Sequence, residues 1–156
     1  MKTATVLELK KELKHQTHAE LLELCLQLSK FKKENKELLT YLLFEASDED
    51  SFIQNVKDEI SEQFELINTS SYFYIKKSVR KILRNVKKYI RYSKKKETEV
   101  ELLLHFCLVL KNMNPPIHVN TSLQNIFERQ LLLIDKAIRT LHEDLQYDYN
   151  LELDQL

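Results

Sequence analysis

The side chains able to do chemistry are few, and their spacing matches none of the familiar sites. The histidines are His15, His18, His105, His118 and His142. His15 and His18 stand three apart, but a helix break is expected between them and no HExxH pattern occurs. His105 and Cys107 are two apart, which sets them on different faces of a helix. A di-iron carboxylate bundle needs paired Glu-x-x-His motifs, and the sequence holds no such pair. No metal or cofactor is expected. The chain contains no glycine, so the GxSxG elbow, the Walker A loop and the dinucleotide fingerprint cannot be written. Cys25 and Cys107 lie in apolar helical runs without an activating neighbour and read as two buried, reduced thiols. An enzyme would need a site assembled from scattered acidic residues, so the expectation is a non-enzyme.

Charge is the feature that stands above background. The net charge is zero, which argues against a globally basic or acidic nucleic-acid binder. That average hides a segregation. Residues 66–96 carry no acidic side chain but hold Lys76, Lys77, Arg80, Lys81, Arg84, Lys87, Lys88, Arg91, Lys94, Lys95 and Lys96. Residues 45–65 hold eight acidic side chains, with Lys57 as the only counterweight. The basic residues flank an apolar line, making a basic amphipathic helix. The plainest use is internal, with the acidic and basic helices side by side and the field largely cancelled. A second use is phosphate contact along a nucleic acid, with Tyr72, Tyr74, Tyr89 and Tyr92 placed to stack on bases. Others are an anionic membrane surface and an acidic protein partner. The candidate anion surface is Lys77, Arg80, Lys81, Arg84, Lys87, Lys88, Arg91, Lys94, Lys95 and Lys96.

Helices must position these residues. Without glycine, and with only Pro115 and Pro116, the chain suits helices joined by polar corners better than hairpins. Hydrophobic periodicity predicts a short helix near Thr5–Lys14, and Thr17 with Glu20 forms a capping box for the next. From there Leu21, Leu24, Leu28, Phe31, Asn35, Leu38 and Leu42 step by threes and fours, a heptad seam with Asn35 at a core position. Residues 18–45 are either one rod or two helices broken near Lys33-Glu34-Asn35. The acidic helix follows the cap sequence Ser47–Asp50 and runs to about Ile67, and the basic helix spans about Tyr72–Tyr92. Thr98 then caps a helix over about Glu99–Asn112. Its Leu102–Leu110 stretch is apolar nearly all round and interrupted only by His105, so it belongs at the centre of the fold. Pro115-Pro116 breaks the chain, and a last long helix covers about Thr121–Leu145. Beyond it Leu145, Tyr147, Tyr149, Leu151 and Leu153 alternate with polar residues, which suggests an extended tail.

The fold expected is all-α: an antiparallel helical bundle or short stack of αα-hairpins, six to seven helices, one domain over 1–147 with a C-terminal tail over 148–156. The N-terminus lacks an apolar signal region and no run is long enough to span a membrane, so a cytoplasmic protein is expected. Leu9–Lys14, Ala19–Leu24, Lys33–Leu39, Lys77–Ile82 and Ser122–Arg129 together resemble a bacterial family of small all-helical proteins of unknown function. The resemblance covers most of the chain and implies a helical fold and a bacterial setting, with no activity or site residues. That family has a Gly-Asp turn before its last helix, where this chain has Pro-Pro. The functional expectation is a helical interaction or adaptor protein binding a protein partner or forming a homodimer through the seam at Asn35. The alternatives are a nucleic-acid-associated protein using the basic helix and, third, an enzyme with an unrecognised site.

Overall fold

Four of the helices start where a side-chain oxygen accepts from their free N–H groups. The computed structural model describes residues 1–156 and contains eight α-helices and no strand. They are α1 (Val6–Leu13), α2 (His18–Phe31), α3 (Lys33–Thr40), α4 (Glu49–Glu65), α5 (Tyr72–Ser93), α6 (Lys96–Asn112), α7 (Thr121–Ile138) and α8 (Glu143–Asp154). Capping boxes start α1 and α2: Thr5 with Glu8, and Thr17 with Glu20, each Thr N–H donating to the Glu carboxylate at 2.7 Å. Asp48 caps α4 by accepting from the Ser51 N–H, and Asn120 caps α7 by accepting from Ser122 and Leu123. None of the helices is long and apolar enough to cross a membrane.

Two compact units can be distinguished, Met1–Phe44 and Glu45–Leu156. In the second unit α6 is the central helix, packed against α4, α5, α7 and α8. Leu102, Leu103, Leu104, Phe106, Cys107 and Leu110 are buried, as the all-round apolar pattern requires. Phe106 meets Phe64 of α4 with ring centroids 5.6 Å apart, and α5 contributes Ile75, Val79, Ile82 and Val86 to the same core. Leu123, Phe127, Ile134 and Ile138 bring in α7.

The first unit has a different character. Residues 18–45 are not one rod, because the chain is extended at Lys32 (φ −141°, ψ 145°), which ends α2 and starts α3. A turn of π-helix, Tyr41–Glu45, follows α3. Asn35 does not sit in a continuous seam. Its Nδ2 donates to the Leu28 carbonyl at 2.9 Å, satisfying one of the orphan acceptors at the end of α2. No residue of α1, α2 or α3 is buried.

Three further expectations are corrected. The C-terminal segment is helix α8, not an extended tail: Leu145, Tyr149 and Leu153 are also spaced by fours, and this set turns inward while Tyr147 and Leu151 face solvent. Cys25 is exposed, and only Cys107 is buried; both are free thiols. Thr98 does not cap α6, which begins at Lys96; it is buried inside the helix and donates to Glu49.

Candidate nucleic-acid interface

The 22 residues of α5 split cleanly into an apolar side and a basic side. Ile75, Val79, Ile82 and Val86 recur at threes and fours and point into the core. On the opposite side Lys77, Lys81, Arg84, Lys88 and Arg91 repeat at the same spacing, so they form a second line along the helix. At 1.5 Å rise per residue that line is about 21 Å long. Lys77, Lys81, Arg84 and Arg91 are exposed, and none of them forms an ion pair. Lys88 is half-buried with its ammonium 5.0 Å from the centre of the Tyr89 ring.

The other candidates divide by position. Arg80 donates from Nη2 to the Ser122 hydroxyl at 3.0 Å, at the start of α7, and Lys87 is half-exposed beside the line. Lys94 ends α5 in the left-handed conformation (φ 60°, ψ 6°), a position usually given to glycine, and its side chain is solvated. Lys95 and Lys96 belong to the corner. Lys95 Nζ pairs with Glu49 Oε2 at 2.9 Å, and Lys96 with Glu99 at 2.6 Å. Glu49 Oε1 also accepts from Ser93 at 2.5 Å and from Thr98 at 2.6 Å, tying the α5–α6 corner to the start of α4. So the expected set separates into a solvent-facing line and a structural clamp.

Three of the four tyrosines are engaged within the protein. Tyr92 is buried, Tyr89 donates to Glu59 at 2.9 Å, and Tyr72 donates to the Pro116 carbonyl at 3.0 Å. Tyr74 remains available, next to an exposed Phe73 with ring centroids 5.5 Å apart, at the N-terminal end of the basic line.

No ion pair joins α4 to Lys77, Lys81, Arg84 or Arg91. α4 does pack against α5, but Glu59 is spent on the Tyr89 hydroxyl and Gln63 on Asn85. Comparison with family models, curated proteins and solved structures finds no match.

One polar cluster was missed from the sequence. Lys57 Nζ pairs with Glu101 Oε2 at 2.5 Å, Tyr149 donates to Glu101 Oε1 at 2.8 Å, and Ser61 Oγ lies 2.9 Å from His105 Nε2. They flank a cavity of about 170 Å³ lined by Lys57, Glu101, Leu104, His105, Leu108 and Glu152. The signals were two exceptions: Lys57 as the lone cation of the acidic helix, and His105 as the lone break in the apolar one. Burial, reinforced by the charge of Lys57, holds the His105 imidazole below its usual range. Burial and the bond to Glu101 raise the Tyr149 phenol, which stays a donor. The Ser61 hydroxyl is within hydrogen-bond distance of both the Lys57 carbonyl (3.1 Å) and His105 Nε2 (2.9 Å), and the imidazole tautomer sets which way the Ser61–His105 bond runs. No group of three His, Cys, Asp or Glu side chains converges as a metal site would need.

Proposed function

We propose that this chain is a non-enzymatic interaction protein that binds nucleic-acid phosphates along the basic face of α5. One observation carries the reading: Lys77, Lys81, Arg84 and Arg91 form an exposed line with no carboxylate partner, although an acidic helix lies next to their own. A line of cations kept apart from nearby acids retains its field for an external anion, and release of counterions from the phosphates drives binding. The length of the line suits a short run of backbone phosphates, and Phe73 and Tyr74 at its end offer faces for stacking. An exposed free thiol at Cys25 favours a reducing, cytoplasmic setting.

Fluorescence anisotropy with generic single- and double-stranded oligonucleotides, repeated across salt concentrations, tests this. Neutralising four phosphates gives a log–log salt slope of about −3 to −4. The triple variant Lys81→Ala, Arg84→Ala, Arg91→Ala should lower affinity for all sequences alike and reduce that slope by about 2 to 3. No binding at low salt, or an unchanged slope in the variant, overturns the proposal. Binding to phosphatidylserine vesicles but not to oligonucleotides would assign the face to membranes instead.

A further inference from the structure

The exposed side of α5 begins in two aromatic rings. Phe73 and Tyr74 stand four and three residues before Lys77, so both adjoin the first cation of the line. Steps of three and four lead from Tyr74 through Lys77, Lys81, Arg84, Lys88 and Arg91, and Phe73 lies beside the same row. Phe73 is 67% exposed and Tyr74 47%, and their rings meet edge to face at 78°. Neither takes part in the core that Ile75, Val79, Ile82 and Val86 build on the other side of the helix. The row is also straight. Over its length of about 21 Å a strand of B-form duplex, rising 3.4 Å per nucleotide, advances about six steps and winds through more than half a turn. Its phosphates leave a straight row of cations after a few steps, and its paired bases keep their faces stacked away from the two rings.

We propose that the nucleic acid held by α5 is single-stranded, with its backbone along Lys77 to Arg91 and an unstacked base on the Phe73–Tyr74 pair. This rests on the phosphate-binding reading of the same face. Two features select a single strand over a duplex. An unpaired strand straightens to follow the row, and only an unpaired strand offers a base face to an aromatic side chain. The contact is also polar in direction, with stacking at the N-terminal end of α5 and phosphate contacts beyond it. Every base has a face that stacks, and the cations meet only backbone, so the site tolerates any sequence. The two rings sit at one end of the row, which leaves no continuous apolar strip along it to enter a bilayer.

Fluorescence anisotropy of the full chain compares a mixed-sequence single strand of about 12 nucleotides with its own duplex at one salt concentration. Wild type should bind the single strand at least ~10-fold more tightly. The double variant Phe73→Leu, Tyr74→Leu should lose about ten-fold in single-strand affinity, the worth of one stacked base. Its duplex affinity and its salt slope should stay as in wild type, since no cation has changed. Both side chains are largely solvated, so circular dichroism of the two proteins should be alike. The chain has no tryptophan, so Tyr74→Trp supplies a unique reporter. Its emission should be quenched by the single strand and hardly changed by the duplex. Equal or tighter duplex binding, undiminished single-strand affinity in the double variant, or an emission that no single strand quenches overturns this proposal and leaves the phosphate-binding reading standing. Binding to neither form overturns both.

Discussion

His105 is the residue whose surroundings most constrain its protonation. Desolvation and the Lys57 ammonium oppose the imidazolium more than Asp58 and Glu101 favour it, so its folded-state pKa lies below that of the unfolded chain. As pH falls through the ordinary histidine range the unfolded chain takes up a proton that the folded one resists, so stability falls with pH. The contribution is therefore present near pH 7.5 and is lost toward pH 5. In urea titrations wild type should lose more stability between these values than His105→Gln, and equal losses would remove the effect from His105. The single-residue readings that failed share one cause. Cys25, Tyr92 and Thr98 are each read from residue type and local helix position, which do not give what stands opposite. Thr98 reads as a cap by type, yet the Glu49 carboxylate from 49 residues away claims its hydroxyl. Lys94 shows what a glycine-free chain does at an αL corner. A lysine accepts a strained φ, and its amide still closes the helix on Ile90 at 2.9 Å.

At the scale of elements, helix type was legible wherever one periodicity ran without a rival. The inward lines of α4, α5, α6 and α7 follow the 3.6-residue period, and the central position of α6 follows from apolar residues all round it. Two elements carried ambiguous signals. The heptad over Leu21–Leu42 continues across Lys32, because periodicity persists in sequence even where the backbone turns extended. In α8, period two and spacing by fours share Leu145, Tyr149 and Leu153, and contact with α7 and α6 favours the helix. Tyr149 is the anchor of that packing, buried and bonded to Glu101. Tyr149→Phe should cost about 1 kcal/mol through the lost hydrogen bond. Tyr149→Ala should cost about 3 kcal/mol, since it removes the ring as well. A urea midpoint that hardly moves in the alanine variant would show that α8 is not held by this contact.

For the whole molecule, the decisive contrast is between a unit with a core and a unit almost without one. In Met1–Phe44 only Tyr41 is buried, whereas Glu45–Leu156 holds every other buried side chain. Composition could not reveal this, because leucines are plentiful in both units and only the packing separates them. Helices of eight and fourteen residues are marginal alone, so α1, α2 and α3 gain little from their own hydrogen bonds. Amides in α2 and α3 should therefore exchange with solvent at least ~100-fold faster than those of α6 and α7 in dilute protein. Hydrogen exchange of the full chain, read by mass spectrometry, measures the difference. Strong protection of residues 18–44 would mean that the unit is stable without a buried core, against the packing argument.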